Sequence, residues 1–516
     1  MPQPADSNVN QTNIRGEPPI MKARKIAAIL AVGALAVAAC GNDDEDTSTT
    51  EGATATTTAE EEDSPATTTA EEEDNPATTT AEEEDNPATT AAEEEDNPAT
   101  TAAEEEDTEA FAIDISACED PDAATAPIEG AVKIGNSYPQ SGGPAVLFAP
   151  FGDGMQAYID YYNTANGGIN GEPIELIAKD DQYAADLTKT AVDGLVFDDG
   201  VHVIAGVIGS ANNGVIQADL NAQCIPQMWA ATGSTAWGNI DEFPWTSGLL
   251  VPYAIEVEVF MQYAAEQFPD GGRLGFFYVN NEFGQEYKNA VDARAAEYGF
   301  EVVAEETIDA ADSGAPSGQM TNLVAASPDA IMAVPLGAGC ISFMTELGNA
   351  QAATADFDPL VYLTGTCAST VFYNAVANGG NDGVFTTSQF KDVANAELQT
   401  SDADIAAYLE AFAASGSAAD PSGLAAAGWV ASEATVKALE DAAATGTLSR
   451  ETIANAVRNV DFKPSLLREG LNFRMSANDG YAAEGAQLIS WSSADKGFVD
   501  VGEVIDFDGF LGVFEG

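Results

Sequence analysis

From about residue 130 onward, short apolar runs alternate with segments whose apolar residues recur every three to four positions. Residues 132–136 read as a strand. Met155, Tyr158, Ile159 and Tyr162 then fall at the i, i+3, i+4, i+7 spacing that buries one face of a helix over 151–166. A strand at 174–178 follows, and Leu187, Ala191 and Leu195 mark another helix. Residues 201–208 are almost continuously apolar, as expected of a strand covered on both faces. A helix at 214–222 leads to a strand at 226–230. The pattern then restarts, with strands at 274–279, 302–307, 330–335 and 360–363 and helices at 285–298, 318–326 and 341–350. Helices at 404–414 and 424–444 and strands at 488–491 and 498–505 complete the chain. Strand–helix–strand alternation run twice predicts an α/β fold of two parallel sheets flanked by helices. About 400 residues also exceed one ordinary core, so two lobes are expected.

The first 110 residues carry no such pattern. Lys22, Arg24 and Lys25 precede an apolar stretch over 26–37, too short to span a bilayer, closed by small residues. Val37-Ala38-Ala39-Cys40 resembles the bacterial lipobox, which implies export, cleavage before Cys40 and acylation of that cysteine. Residues 1–20 fit no signal pattern, so Met21 is the expected start, with Met1 as the alternative. Between Gly41 and Ala110 stand 26 acidic residues and no Lys or Arg. AEEED recurs at Ala59, Ala70, Ala81, Ala92 and Ala103, a period of 11. Pro65, Pro76, Pro87 and Pro98 interrupt it, and no position is large and apolar, so a coiled coil is excluded. High charge without aromatic residues predicts a disordered, self-repelling spacer. Its threonine clusters are possible O-glycan acceptors. The organisation is thus a signal segment over 1–40, an acidic linker over 41–110 and a body over 111–516.

The body holds 56 acidic against 14 basic residues, which argues against nucleic acid and anionic lipid surfaces as partners. With Cys40 assigned to lipid, Cys118, Cys224, Cys340 and Cys367 remain. An even number in an exported chain favours disulfides, and three connectivities are open. Cys340 and Cys367 end neighbouring strand-like runs and are expected to pair, leaving Cys118 with Cys224. Catalytic chemistry finds little support. The lone histidine, His202, sits inside an apolar run and reads as a packed residue, and no G-x-S-x-G, H-E-x-x-H or P-loop occurs. Asp180-Asp181 and Asp198-Asp199 lie beside element ends, where capping explains them. No metal ligand set and no cofactor motif stand out.

In an open α/β sheet, ligands gather beyond the carboxyl ends of the strands. Those positions carry Tyr138-Pro139-Gln140-Ser141-Gly142, Gly209-Ser210-Ala211-Asn212 and Ala230-Ala231-Thr232-Gly233-Ser234. Short hydroxyls, amides and backbone N–H groups suit a carboxylate or other small polar group, although the same residues also make turns. The stretch SGGPAVLFAPFGDGMQAYIDYYNTANGGINGEPIELIAKDDQYAAD resembles the type I periplasmic binding proteins of the leucine/isoleucine/valine-binding family. The matching pieces are Ser141-Gly142, Gly152, Asn166-Gly167-Gly168-Ile169-Asn170-Gly171 and Asp180-Asp181.

The resemblance implies two Rossmann-like lobes joined by a three-strand hinge. Lobe 1 would cover about 131–252 and 384–465, and lobe 2 about 253–383 and 466–516. It implies a ligand trapped between closing lobes and passed to the permease and ATPase of an ABC importer. A monomer anchored to the outer face of the bacterial membrane is expected. The expected cargo is a branched-chain amino acid or a related small polar or amphiphilic solute. By the same resemblance, Ser210, Ala230 and Thr232 stand where an amino acid's carboxylate and amino group are bound, and Ser141 and Ala231, in the same strand-end loops, are further ligand-binding candidates. Phe151 stands in the side-chain pocket, and Phe283 where a tyrosine is common. Ala338 stands where another tyrosine is expected, and Thr366 where an acidic residue usually meets the ligand ammonium. With neither of the last two present, an uncharged, acidic or larger ligand is expected. A ligand-sensing receptor of the same fold is the alternative reading, and a surface hydrolase a remote one.

Overall fold

The computed structural model describes residues 110–142, 144–309 and 314–511. The expected signal segment, Cys40 and the acidic repeats fall outside them. Among the described residues, no helix is long and apolar enough to cross a membrane.

The first sheet is wholly parallel. Its strands β1 (Val132–Tyr138), β2 (Ile174–Asp180), β3 (Val203–Ala205), β4 (Gln227–Ala230) and β5 (Thr246–Gly248) lie in the order β2-β1-β3-β4-β5. The second sheet takes β6 (Gly272–Val279), β7 (Phe300–Ile308), β8 (Ala330–Val334), β9 (Leu360–Leu363) and β10 (Phe385–Ser388) in parallel. A small hairpin, β11 (Asp461–Phe462) with β12 (Phe473–Arg474), belongs to neither sheet. The last strands, β13 (Gly485–Ser492), β14 (Gly497–Asp500) and β15 (Ile505–Asp506), run antiparallel on the edge of the second sheet. That sheet is therefore mixed, not all parallel as the alternation suggested: β13 to β15 follow one another by short turns, which only antiparallel pairing permits.

Three further departures have local causes. The apolar run 201–208 is a regular strand only over β3; Gly206, with φ +70°, interrupts it, and parallel pairing resumes at the Ile208–Ala231 bridge. A Cβ on Gly206 would also meet Met155 Sδ at 2.9 Å and Phe151 Cε1 at 3.0 Å. The single strand expected at 498–505 is broken between β14 and β15, where Gly502 has φ +71°. The helix expected from 151 starts at Ala145 and carries Pro150 inside it. One proline removes one N–H bond, and Phe151 beside it is 1% exposed.

The chain crosses between lobes three times. Residues 249–252 lead from β5 to the buried helix Tyr253–Gln267. Residues 389–392 return from β10 toward the helix Ala403–Ser415, which packs on the helix Ala145–Asn166. Residues 475–484 join β12 to β13. Phe473 of β12 stacks on Trp229 of β4, so the hairpin belongs with the first sheet, and the last crossing comes later than residue 466. Gln389 ties the first two crossings. Its amide donates to the Leu249 carbonyl at 3.0 Å and its oxygen accepts from the Val251 N–H at 2.7 Å.

Both cysteine pairs are bonded. Cys118 meets Cys224 with Cα atoms 5.5 Å apart, fixing the N-terminal arm beside Trp245. Cys340 meets Cys367 at 5.9 Å inside the core of the second lobe.

Candidate functional site

A cavity of about 420 Å³ opens between the lobes at the carboxyl ends of β1, β3, β4, β6, β8 and β9. Its walls are mostly apolar. Phe148, Phe151 and Tyr183 come from the first lobe, Phe283 and Leu336 from the second, and Leu250, Val251 and Phe390 from the crossings.

The first polar corner is built around Ser210. Gly209, with φ +100°, turns the chain out of β3 into the helix Ser210–Ala222, which has no side-chain cap. The first N–H groups of that helix have no intrahelical acceptor and face its positive end. Ser210 Oγ lies 2.6 Å from Thr232 Oγ1, which lies 3.0 Å from the Tyr253 hydroxyl. The N–H groups of Ala231 and Thr232 are already engaged, by the Val207 and Ala230 carbonyls at 2.8 Å. What this corner offers a ligand is therefore hydroxyls and a helix start.

A second polar group sits across the cavity. Glu256, on the helix Tyr253–Gln267, is 5% exposed and lines the wall. Its Oε2 accepts from the Tyr287 hydroxyl, the Tyr362 hydroxyl and the Gly365 N–H, each at 2.7 Å. Burial pushes its carboxyl up, against the downward pull of these hydrogen bonds. Gly365 is needed there, since a Cβ would lie 2.8 Å from Glu256 Oε1.

Tyr183 is held over the first-lobe wall by a strained turn, with φ +50° at Gln182 and +63° at Tyr183. Asp181, fully buried, fastens that turn by accepting from Ser137 Oγ at 2.9 Å, Thr188 Oγ1 at 3.1 Å and Tyr183 N–H at 2.9 Å. Burial raises the Asp181 carboxyl despite those donors. The Tyr183 ring stacks on Phe148 at 4.9 Å.

The lobes meet around the cavity. Ser234 Oγ and Thr235 Oγ1 donate to the two carboxylate oxygens of Glu286 at 2.7 and 3.2 Å. Thr370 and Ser422 hydroxyls approach to 3.5 Å. A Cβ on Gly337 would come within 2.6 Å of Leu147, so these walls touch. The cleft is closed.

Of the residues singled out in the sequence, Phe151, Ser210, Ala231, Phe283 and Thr366 line this cavity. Thr232 stands just behind Ser210, its hydroxyl 2.6 Å from Ser210 Oγ, and does not itself line the cavity. Ala230 is enclosed within β4, its carbonyl bonded to the Thr232 and Leu249 N–H groups. Ser141 lies on an exposed loop, its hydroxyl and N–H bound to Asp180, outside the cavity wall. Ala338 begins a helix just beyond the lining residue Gly337. Thr366 carries no charge; Glu256, from another element, accepts from the N–H of the neighbouring Gly365. Tyr253, Glu256, Tyr183 and Gln389 escaped the sequence analysis. Tyr183 lay within a matched stretch; Tyr253 and Glu256 fell in a run assigned no element.

His202 is removed from this site. Its Nδ1 accepts from the Lys133 N–H at 3.0 Å, and its carbonyl accepts from Arg450. Burial, with Arg450 and Lys133 nearby, lowers its pKa to about 4, so the ring is neutral at pH 7.

A family model described as periplasmic binding protein matches residues 131–496. No curated protein matches the chain. Among solved structures, a fatty acid ABC transporter substrate-binding protein from Thermomonospora curvata is similar, with TM-score 0.63 and 17% identity over 73% of this chain and 93% of that one. A solute-binding protein of an ABC transporter from R. palustris, in complex with benzoate, superposes with TM-score 0.61 and 17% identity, over 73% and 98% of the chains. The branched-chain amino acid transporter substrate-binding protein of Streptococcus pneumoniae, in complex with isoleucine, gives 0.58 and 18%, over 73% and 99%.

Proposed function

Because the chain belongs to the periplasmic binding protein family, we propose that it encloses a small amphiphilic carboxylate between its lobes and delivers it to an ABC importer. Binding without turnover is the activity. The carrying observation is the distribution of polarity in the cavity: apolar walls, with Ser210 and a helix start at one corner. A carboxylate seated there would meet a hydroxyl and N–H groups at the positive end of the helix. Its apolar body would lie against Phe148, Phe151 and Phe283. Fatty acid, benzoate and isoleucine, named with the three similar structures, share this chemistry.

Volume narrows the class. A cavity of about 150 Å³ holds benzene, so roughly 25 Å³ accommodates one non-hydrogen atom. The cavity of about 420 Å³ then has room for roughly 17 such atoms, more than leucine contains. An acid of about nine or ten carbons, aliphatic or aromatic, fills this space better than leucine does.

The test is calorimetry of the body with hexanoate, benzoate, 3-phenylpropanoate and isoleucine, on the wild type and on Ser210→Ala. A hydrogen bond to a charged group is worth about 1.5–3 kcal/mol, so Ser210→Ala should weaken the best ligand roughly 10- to 150-fold. Equal affinity in both proteins, or no binding across the panel, would remove the basis for this reading.

A further inference from the structure

Two successive residues of the loop after β2, Gln182 and Tyr183, hold left-handed backbone, with φ +50° and +63°. Neither is glycine, and this conformation is unfavourable for a residue with a Cβ. Such strain persists only where the surroundings over-determine it, and it gathers at ligand sites. Here Asp181 supplies the fastening, through its bonds with Ser137, Thr188 and the Tyr183 N–H. What the strained turn achieves is the placement of one aromatic side chain in the cavity wall.

That placement is specific. A Cβ on Gly209 would lie 3.0 Å from the Tyr183 hydroxyl oxygen and from its Cε2, so the phenol rests against the residue just before Ser210. Phe148 stacks on the ring with an interplanar angle of 8°, which fixes its plane. Among the described residues the hydroxyl has no hydrogen-bond partner, although a phenol in the interior usually finds one. Nor is its oxygen enclosed by protein. Burial first, then neighbouring Tyr253 and the charges of Asp181 and Glu282, push its pKa up, so it keeps its proton at pH 7. The Ser210 corner can use such a donor. Ser210, Thr232 and Tyr253 form a chain of three hydroxyls joined by two hydrogen bonds. Each hydroxyl has one proton, so two are used within the chain and one is left to donate outward. A carboxylate presents two oxygens with about four acceptor positions. The helix start adds N–H groups, and the Tyr183 hydroxyl, beside Gly209, is a further donor with a free proton.

We infer that the Tyr183 hydroxyl donates to the second oxygen of the ligand's carboxylate, and that Asp181 is the positioning residue that holds it there. This rests on the carboxylate reading above and adds a specificity-determining group to it. A solute with one acceptor oxygen satisfies Ser210 alone, whereas a carboxylate satisfies both hydroxyls. Tyr183 thus discriminates by the number of acceptor oxygens and not by apolar bulk.

Calorimetry with 3-phenylpropanoate and 3-phenylpropan-1-ol, on the wild type, Tyr183→Phe and Ser210→Ala, tests this. Tyr183→Phe keeps the ring, the Phe148 stack and the backbone, and removes a hydroxyl that no described protein group uses. The melting temperature of the ligand-free protein should therefore be unchanged. The acid should bind Tyr183→Phe about 10- to 150-fold more weakly than the wild type, and the alcohol less than about 3-fold more weakly. The rise in melting temperature that the acid causes should shrink to match. Asp181→Asn, which turns one acceptor oxygen into a donor and so loosens the turn, should weaken the acid in the wild type and add no further loss in Tyr183→Phe. If Tyr183→Phe binds the acid as the wild type does, or loses acid and alcohol alike, the inference is wrong, while the carboxylate reading stands wherever Ser210→Ala still weakens the acid. Equal losses from Asp181→Asn in both backgrounds would overturn its positioning role. If the wild type does not bind 3-phenylpropanoate, the inference falls, and the carboxylate reading is judged on the rest of the acid panel.

Discussion

Asp479, Glu484 and Asp508 bring carboxylate oxygens within 4.8 Å of one another at the third crossing and the C-terminal segment. Glu484 is buried, and its oxygens accept from the Gly509 and Leu511 N–H groups at 2.7 and 3.2 Å. Burial first, and the charge of Asp479 second, push its pKa up to about 8 from an ordinary value of 4.5. The folded state thus holds more protons than the unfolded chain between those values, so stability falls as pH rises through that window. Glu484→Gln imitates the protonated form. Its melting temperature should match the wild type near pH 5 and exceed it near pH 8, as scanning calorimetry would show. Glu256 and Glu433 are raised by burial as well, so the variant should flatten the decline without abolishing it. A decline with pH as steep as the wild type's would remove Glu484 as the responsible group.

The helix Glu282–Arg294 reaches across the cleft through Glu286, whose oxygens hold Ser234 and Thr235 of the opposite lobe. This pair of hydrogen bonds exists only when the lobes are together. Removing it with Glu286→Ala lowers the population of the closed form, and apparent affinity drops in proportion to that population. Every ligand should weaken by the same factor, about 3- to 30-fold for one or two such bonds. Calorimetry with two chemically different ligands checks this; losses that differ between them would place Glu286 inside the ligand site. Periodicity made most elements legible: the helix Leu424–Ala444 and strand β9 lie where the pattern put them. The helix Tyr253–Gln267 was not legible, because Ile255, Val257 and Val259 alternate like a strand. It is buried on most sides and shows no single apolar face. Glu256 was missed with it. Ser210 was legible, since a hydroxyl after a strand end needs only local sequence; the acid facing it depends on how two lobes meet.

The whole chain sets the protein's address as well as its grip. We propose that Cys40 carries lipid and that the acidic repeats, being without apolar anchors, act as a spacer between anchor and body. Cys40→Ser should then leave the protein in the soluble fraction with no lipid detectable by mass spectrometry; a variant retained on the membrane like the wild type would refute the anchor. The body's own acidic excess works in the same direction, keeping it off an anionic bilayer. The crossings give the molecule a further property. Tyr253 follows the first crossing by one residue, yet its hydroxyl touches Thr232 on the other lobe. When two bodies swing about an axis, each atom travels an arc proportional to its lever arm. Tyr253, next to a crossing, has a short one, and Phe283, packed on its ring at 5.2 Å, moves with it, so the corner made by Ser210, Thr232 and Tyr253 stays assembled through the swing. An arriving solute therefore finds a finished berth beside the axle before the far wall comes round.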